Sequence, residues 1–395
     1  MRILVHDYAG HPFQVQLSRS LAERGHEVLH VYSRSIQTPR GRLEPDDNDP
    51  ATFEIVGIEL SAELQKYSLF TRRRQDLEHG ALAVREIESF RPETVLSGNT
   101  WIDAQSLLLR HCRSRGIRFV YWVQDLLGVG MYRILSKRLP VFGHAVGGVY
   151  RARERRLLAR SDAVVAITED FRKLLGSYGV AGDRIHVIEN WAPLDEMPRR
   201  PKDNPFARTH DLRSSFCFLY SGTMGMKHNP DLLVRLAERF SRDAEVKIVV
   251  VSEGLGAEWL AEQKRERGLD NLILLGFQPF EALPDVLGAA DVLVAVLEPD
   301  AGIFSVPSKV LSYLCAERPL LLAVPPENLV WRIVERAGAG LTAASGDADG
   351  FVRAAERLYR DASLRETCAR DGRGYAETHF DIGKITDRFE LILRP

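Results

Sequence analysis

The stretch FLYSGTMGMKHNPDLLV, residues 218–234, decides how the second half of this chain is interpreted. Its apolar run ends at Tyr220 and predicts a buried strand, and its last residues predict an amphipathic helix. Between the two lie Gly222, Gly225 and Lys227. Glycines let backbone amides approach a ligand and a helix N-terminus favours anions, so this loop suits a phosphate. The alternative is a glycine-rich turn with a solvated lysine, because the loop matches neither GxGxxG nor a P-loop.

Length and composition indicate a globular protein of two domains. At 395 residues the chain exceeds the size at which one hydrophobic core keeps growing. Apolar residues make up 45% and charged residues 27%, and the net charge of -1 gives no overall attraction to nucleic acid. The four cysteines form no CxxC pair, which fits a reducing cytosol and argues against a zinc site. The N-terminal stretch has no signal-peptide layout, and no apolar run approaches the roughly 20 residues needed to span a bilayer. We therefore expect an intracellular protein that does not cross a membrane.

Strands and helices alternate in both halves of the chain, which predicts parallel sheets. The predicted strands are 2–6, 27–32, 94–96, 118–123 and 163–167, then 216–220, 246–251, 272–275, 292–296 and 320–324. A segment rich in proline and charge, 191–212, predicts a linker. We therefore expect two doubly wound α/β domains, residues 1–190 and 213–375, followed by a final helix in 376–395. In such sheets ligands bind outside the carboxyl ends of the strands.

A second loop in the later domain suits an anion. The stretch EPDAGIFSVPSK follows the predicted strand 292–296 and carries Ser305, Ser308 and Lys309 at the start of a helix. Amides, hydroxyls and a cation there could face a phosphate, whereas the alternatives are a helix N-cap for Ser308 and a surface position for Lys309. Two such loops on one edge of a sheet favour a diphosphate held between them.

These segments resemble the family 4 glycosyltransferases of the GT-B fold. SGTMGMKHNPDLLV, GFQPFEALPDVLGAADVLVAVL and VPSKVLSYLCAERPLL resemble the C-terminal domain of that family. HDYAGHPFQVQLSRSLAERGHEV resembles its opening strand, glycine loop and helix, and SDAVVAITEDFRKLLGSYGVAGDRIHVIENW resembles the end of its N-terminal domain. The resemblance implies two Rossmann-like domains facing a cleft, the first holding the acceptor and the second the donor, with the final helix returning to the first domain. It is closest to the bacterial branch that transfers fucose-like or N-acetylfucosamine-like sugars.

The resemblance also implies donor-binding residues in the second domain. Gly222 and Lys227 match the glycine and the cation that hold the donor diphosphate, which makes Lys227 a catalytic candidate through stabilisation of the leaving group. Ser312 stands where many members have a ribose-binding glutamate, so ribose recognition stays open. The further donor-binding candidates are Thr223, Glu253, Phe277, Gln278, Ser305, Ser308 and Lys309.

Catalytic and acceptor-binding candidates lie in the first domain. In YWVQDLLG, Gln124 occupies the place of a histidine found in many members, and Asp125 is retained. A glutamine does not titrate, which fits a retaining transfer in which the leaving phosphate takes the acceptor proton. Asp125 either holds a hydroxyl or caps a helix, and His6 is either a catalytic candidate or a packed residue at a strand end. The acceptor-binding candidates are Gly10, Asn99 and Glu169, with a helix cap as the alternative for Glu169.

Two stretches mix basic and apolar residues. MYRILSKRLPVFGHAVGGVYRARERRLLAR spans residues 131–160, and KYSLFTRRRQ places Arg72, Arg73 and Arg74 beside Leu69 and Phe70. Such stretches can lie on anionic lipid, and the alternative is a set of helices packed on the sheet. Because enzymes of the branch act on sugars linked to polyprenyl diphosphate, we expect a cytoplasmic protein attached peripherally to the inner face of the cytoplasmic membrane.

The expected function is a retaining, metal-independent glycosyl transfer. A UDP- or GDP-linked sugar would pass to a glycan linked to polyprenyl diphosphate in bacterial surface polysaccharide biosynthesis, such as O-antigen or capsule. No cofactor besides the nucleotide-sugar and no nucleic-acid partner is expected. No metal is expected either, because the loops after the strands carry no DxD and Lys227 would replace a divalent cation. The alternatives are a GT-B nucleotide-sugar 2-epimerase and a non-catalytic GT-B partner subunit.

Overall fold

The chain folds into two compact units. The structure, a computed structural model, describes residues 1–36, 40–64, 69–98, 100–138, 142–225, 228–299, 302 and 306–394. Unit 1 comprises Met1–Asn190 and Ile382–Pro395, and unit 2 comprises Trp191–Asp381. The proline-rich segment 191–212 therefore lies within unit 2, where it contains a short helix capped by the side chain of Asn204.

Unit 1 contains a parallel sheet with helices between its strands. The described strands are β1 Arg2–Asp7, β2 Glu27–Ser33, β3 Phe53–Ile58, β4 Thr94–Gly98, β5 Arg118–Val123, β6 Ala163–Ala166 and β7 Ile185–Val187. The described helices are α1 Pro12–Glu23, α2 Leu69–Phe90, α3 Ile102–Arg115, α4 Leu127–Arg138, α5 Phe142–Arg160 and α6 Asp170–Ser177, with a 3-10 turn at Gly182–Arg184. The strand order is β3-β2-β1-β4-β5-β6-β7.

Unit 2 repeats this plan. Its described strands are β8 Phe216–Ser221, β9 Val246–Val251, β10 Leu272–Leu275, β11 Val292–Val296, β12 Leu320–Ala323 and β13 Gly340–Ala343, in the order β10-β9-β8-β11-β12-β13. Its described helices are α7 Pro205–Thr209, α8 Asp231–Arg239, α9 Leu255–Arg267, α10 Leu283–Gly288, α11 Lys309–Cys315, α12 Leu329–Ala337, α13 Ala348–Arg360 and α14 Ala362–His379. Short 3-10 turns lie at Leu194–Glu196 and Phe280–Ala282.

The strands are apolar because helices cover both faces of each sheet. Val249 and Val250 are neighbours in β9 and point to opposite faces, yet both are fully buried. On α8, the apolar residues Leu232, Leu233 and Leu236 recur with helical spacing and are buried. Continuous apolar strands between amphipathic helices are typical of a doubly wound parallel sheet. The predicted α/β fold class is therefore confirmed.

Each sheet has a switch point beside its first strand. β1 lies between β2 and β4, and β8 lies between β9 and β11. The connections that leave the first and fourth strands therefore run to opposite faces, which opens a crevice at the carboxyl ends of those strands. The end of β8 and the start of α11 meet at the switch point of unit 2, where Lys309 contacts Tyr220.

The final helix, α15 Ile382–Leu393, belongs to unit 1. Arg24 donates to the Asp387 carboxylate at 2.6 Å, and the Thr94 hydroxyl donates to the carbonyl of Leu393 at 2.9 Å. The ring of Phe389 lies 4.7 Å from that of Trp122, centre to centre. The chain therefore closes unit 1 with a helix that comes after the whole of unit 2.

Candidate functional site

The candidate site in unit 2 lies at the carboxyl ends of its strands and begins with Gly222. The φ angle of Gly222 is +124°, a conformation that side chains rarely adopt, and its amide donates to the carbonyl of Val251 at 3.0 Å. A Cβ atom at this position would lie 3.2 Å from Cε of Lys309. A glycine is therefore required here both by the backbone angle and by the lysine beside it.

Lys309 projects from the start of α11 onto the end of β8. Its ammonium donates to the hydroxyl of Tyr220, lies 3.6 Å from the centre of that ring, and is 3.5 Å from the carbonyl oxygen of Thr223. The Tyr220 hydroxyl also donates to this carbonyl at 3.0 Å, and burial raises the pKa of the phenol. The structure thus brings together the two loops that the sequence predicts as anion-binding, and it joins them through a tyrosine that the sequence analysis did not select.

Met224 connects the loop after β8 to the loop after β9. Its amide donates to the carbonyl of Glu253 at 3.5 Å, and its carbonyl accepts from the amide of Gly256 at 3.1 Å. The Met224 side chain is fully buried, and a Cβ atom on Gly256 would lie 2.5 Å from it. The two loops consequently form one continuous surface, with Thr223 and Glu253 exposed on it.

The loop after β10 completes this edge. The Glu253 carboxylate accepts the amide of Phe277 at 3.3 Å through Oε1. Phe277 and Gln278 are half-buried, and the side-chain amide of Gln278 donates to the backbone carbonyl of Gly276 at 3.1 Å. We call Gly222–Gly225, Glu253–Gly256, Gly276–Gln278 and Ser308–Lys309 the carboxyl edge of unit 2.

Ser308 stands at the N-cap position of α11, but its side chain makes no capping hydrogen bond and is exposed. Its hydroxyl therefore does not cap the helix, so the capping alternative does not describe Ser308. Lys227 and Ser305, which the sequence also predicts at this edge, lie outside the described residues, as does Asn99 of the first domain.

Two further residues hold the end of β8 in place. The Tyr313 hydroxyl accepts the amide of Ser221 at 2.8 Å and donates to its carbonyl at 3.0 Å. His228 is buried, and its Nδ1 lies 3.0 Å from the amide nitrogen of Gly225, which donates to it. Sequence reasoning missed both roles, because a tyrosine in a helix and a histidine in a loop carry no pattern that indicates which backbone group they contact.

Gln124 and Asp125 lie at the carboxyl end of β5 in unit 1. Gln124 is buried and exchanges amide hydrogen bonds with Asn190, one of them 3.2 Å long. Asp125 is exposed two residues before α4, whose first turn is capped from α5 instead: the Glu154 carboxylate accepts the amide of Gly128 at 2.9 Å. The capping alternative for Asp125 is therefore wrong, and its carboxylate faces solvent.

The structure does not support a direct catalytic role for His6. This residue lies within β1, is 0% exposed, and is 2.9 Å from the Ser97 hydroxyl through Nδ1 and 2.8 Å from His79 through Nε2. Burial lowers its pKa to about 3, so the ring is neutral at ordinary pH. The alternative of a packed residue at a strand end therefore describes His6, because its neighbours on β4 and α2 enclose it.

The remaining acceptor-binding candidates have local partners. Gly10 has a φ angle of +73° and is buried, and a Cβ atom there would lie 2.7 Å from Leu43. Glu169 is exposed at the N-cap position of α6, where its carboxylate pairs with Arg172 at 2.7 Å and makes no capping hydrogen bond. That hydrogen bond lowers the pKa of Glu169. Of the two, only Glu169 presents a side chain at the surface.

Comparison with known proteins identifies the family. Residues 14–196 match the domain described as Glycosyltransferase Family 4, and residues 215–361 match the domain described as Glycosyl transferases group 1. Together these matches cover more than four-fifths of the chain. The chain belongs to the family 4 glycosyltransferases. The predicted enzyme class is therefore confirmed, as is the family that the sequence motifs resemble.

Individual relatives agree with this assignment. WcaI of Escherichia coli strain K12, whose name describes a colanic acid biosynthesis glycosyl transferase, is 27% identical over 207 residues. Those residues are 50% of this chain and 49% of WcaI, so the match spans about half the length of that relative. Anabaena HepE in complex with UDP-glucose has a TM-score of 0.71 at 14% identity, with 100% of this chain and 99% of HepE covered. WaaG, a glycosyltransferase involved in lipopolysaccharide biosynthesis, has a TM-score of 0.67 at 14% identity, with 98% of both chains covered. The structural likenesses show the GT-B fold.

The predicted basic patch on α2 of this glycosyltransferase needs correction. Arg72 is buried rather than exposed, because its guanidinium donates to Asp76 at 2.9 Å and lies 4.5 Å from the ring centre of Trp101. Arg73 and Arg74 are both exposed, and Arg73 pairs with Asp103 at 3.6 Å. Trp101 itself is half-buried at the N-cap of α3, not fully in the core.

Neither a metal centre nor a membrane span is found in the described ranges. Within them, no group of three or more His, Cys, Asp or Glu side chains could hold a metal ion. None of the helices there combines the length and the apolarity that crossing a bilayer would need.

Proposed function

We propose that this chain transfers a sugar from a nucleoside diphosphate donor, held at the carboxyl edge of unit 2, to an acceptor held by unit 1. The observation that carries this proposal is the contact of Lys309 with Tyr220 and Thr223 beside Gly222. Here a cation and a side-chain-free backbone meet at the switch point of a parallel sheet, the usual place for a phosphorylated ligand in such folds.

The proposed chemistry is loss of a nucleoside diphosphate. Negative charge develops on the leaving diphosphate in the transition state, and Lys309 and Lys227 stabilise it without a metal ion. Thr223, Ser305 and Ser308 supply further contacts to the phosphates, and Phe277 and Gln278 lie against the nucleoside. HepE was solved with UDP-glucose, which supports a UDP- or GDP-linked donor here.

We propose a retaining reaction, because neither Gln124 nor His6 of unit 1 can act as the base that an inverting reaction needs. Gln124 does not titrate and is paired with Asn190, and His6 is enclosed. The leaving phosphate would then take the acceptor proton. Asp125, which is exposed, would bind a hydroxyl of the acceptor or of the transferred sugar, and Glu169 would contact the acceptor.

The proposed pathway is bacterial surface polysaccharide assembly. WcaI is named for colanic acid biosynthesis and WaaG for lipopolysaccharide biosynthesis, which supports a glycan acceptor of this class. We propose that the acceptor is linked to polyprenyl diphosphate and that the transferred sugar is fucose-like or N-acetylfucosamine-like.

A lipid-linked acceptor requires access to the membrane surface, and α5 offers a suitable face. Val146 is 40% exposed and Val149 is 51% exposed, one helical turn apart, and Arg156 and Arg160 are exposed further along the same side of the helix. Apolar and basic residues on one helix surface are the composition of an interfacial anchor. The proposed location is the cytoplasmic side of the membrane, by peripheral attachment.

Flotation with liposomes tests the attachment. The variant with Arg156→Glu and Arg160→Glu is expected to lose binding to vesicles rich in anionic lipid, because both charges face the membrane in this proposal. The matched control carries Arg242→Glu and Arg265→Glu, two exposed positions of unit 2. Equal flotation of both variants would remove α5 from the membrane contact.

The donor site is tested by titration with UDP and GDP, followed by turnover of UDP- and GDP-sugars on a polyprenyl-linked acceptor. Lys309→Met is expected to weaken nucleotide binding at least about tenfold, because charge-assisted hydrogen bonds to phosphate are the strong class. Lys264→Met on α9, which is also half-buried, is the control. Release of a changed free sugar without acceptor would indicate the 2-epimerase instead. Binding of neither nucleotide would refute the proposal and favour a non-catalytic partner subunit.

A further inference from the structure

The carboxyl edge of unit 2 indicates where the nucleoside of the proposed donor lies. Beside Gly222, Cε of Lys309 lies 3.2 Å from where a Cβ atom would be, and the lysine reaches Tyr220. On the β9 side, Met224 bonds the Gly222 loop to the Glu253 loop at the level of the backbone. In the proposed function the phosphates lie at Gly222, after β8, and the nucleoside lies against Phe277, after β10. Because β9 lies between β8 and β10, the nucleoside passes over the end of β9.

Distance along the sheet then determines which group the ribose meets. β8 and β9 pair in parallel up to Ser221 and Val251, and paired strands are about 4.8 Å apart. The ribose is bonded directly to the first phosphate, so it lies about one strand spacing from the Gly222 amide. Glu253 follows the end of β9 by two residues and is exposed at that point.

The Glu253 carboxylate has the chemistry to bind a diol. Its Oε1 accepts the Phe277 amide at 3.3 Å, which holds the carboxylate across the ends of β9 and β10. Its Oε2 makes no hydrogen bond to any of the residues that the structure describes. A carboxylate accepts up to four hydrogen bonds, and the 2′- and 3′-hydroxyls of a ribose are two adjacent donors. We propose that Glu253 binds the ribose diol of the donor nucleotide, an assignment that rests on the function proposed above.

Nucleotides with and without the hydroxyls test this assignment. The wild type, Glu253→Ala, Glu253→Gln and the control Glu258→Ala are titrated with UDP, GDP and the corresponding 2′,3′-dideoxynucleoside diphosphates. Glu258 is an exposed acid in the first turn of α9 and controls for local charge. A hydrogen bond to a charged group predicts that the wild type prefers the ribonucleotides at least about tenfold. Glu253→Ala is expected to lose this preference, Glu253→Gln to keep part of it, and Glu258→Ala to keep all of it.

The possible results separate this assignment from the donor site itself. If Glu253→Ala binds UDP or GDP with the wild-type preference for the ribose, the assignment to Glu253 is wrong and the donor site stands. A wild type that binds ribo- and dideoxynucleotides equally well also overturns it. Failure of the wild type to bind any of these nucleotides overturns both the assignment and the function on which it rests. Because Glu253 is exposed, an unchanged melting temperature verifies that Glu253→Ala is folded.

Discussion

Replacing Gly222 by alanine should damage both the stability of unit 2 and its donor site. At a φ angle of +124° an alanine is strained by about 1–3 kcal/mol. For a unit of this size, Trp191–Asp381, that cost corresponds to a fall in melting temperature of about 2–12 °C. The new methyl group would also lie 3.2 Å from Cε and 3.4 Å from Nζ of Lys309, where carbon atoms prefer about 3.5–4.0 Å. The ammonium must move by a few tenths of an ångström, and we expect nucleotide affinity to fall at least about tenfold as its hydrogen bonds to phosphate are lost.

Gly225→Ala is the matched control for this experiment. Gly225 lies in the same loop, but a Cβ atom there has no described neighbour within 4 Å and its φ angle is not in the left-handed region. We expect its melting temperature to stay within about 1–2 °C of the wild type, since a compatible alanine changes stability by less than about 1 kcal/mol. Both variants are compared by thermal unfolding and by titration with UDP and GDP. Equal behaviour of the two variants would refute the reasoning, because it would mean that neither the backbone angle nor the contact with Lys309 matters.

Four other substitutions have expected outcomes. Lys227→Ala should lower turnover more than tenfold, a loss of at least about 1.4 kcal/mol of transition-state stabilisation, and unchanged turnover would remove this residue from the donor site. Burial raises the pKa of Glu154 from 4.5 to about 7, so its stabilising contribution is present below about pH 4.5 and lost as the pH rises through 7. Glu154→Gln should therefore abolish a fall of about 3 kcal/mol in the free energy of unfolding across that range, and parallel urea-unfolding curves for both proteins at pH 5 and pH 8 would contradict this. Arg72→Met should cost about 3–5 kcal/mol because Asp76 is left buried and unpaired, whereas Arg74→Met should be nearly neutral, and equal urea midpoints would count against the buried pair.

Strands with continuous apolar sequence could be predicted from the sequence almost to the residue. The predicted strands 246–251 and 292–296 coincide with β9 and β11, because both faces of these strands are covered and every position is apolar or nearly so. The predictions omitted β3 Phe53–Ile58, β7 Ile185–Val187 and β13 Gly340–Ala343. These edge strands are only partly buried, so no continuous apolar run marks them, and pairing with a neighbouring strand defines them instead.

The proximity of candidate site residues could be inferred where it follows from topology, whereas the burial or pairing of a side chain could not be inferred where it depends on one distant partner. The meeting of Gly222 with Lys309 follows from strand order, since loops after the first and fourth strands converge at the switch point. The burial of Arg72 does not follow from the run of three arginines, because Trp101, which covers it, lies 29 residues further along the chain. The cap that Glu154 places on α4 is equally remote in sequence from the exposed Asp125 that was considered for it.

The backbone bridges made by Met224 have a consequence for anyone who wants to change which nucleotide this enzyme accepts. Transplanting residues 253–256 from a homologue with a larger residue than glycine at position 256 would place a Cβ atom 2.5 Å from the Met224 side chain and strain the backbone bond between these residues, unless a smaller residue were introduced at position 224 as well. There is no room for a side chain at position 256 beside Met224, so the residues at positions 224 and 256 have to be exchanged together. Libraries that randomise the two loops separately should yield mostly inactive clones, and paired randomisation should recover function.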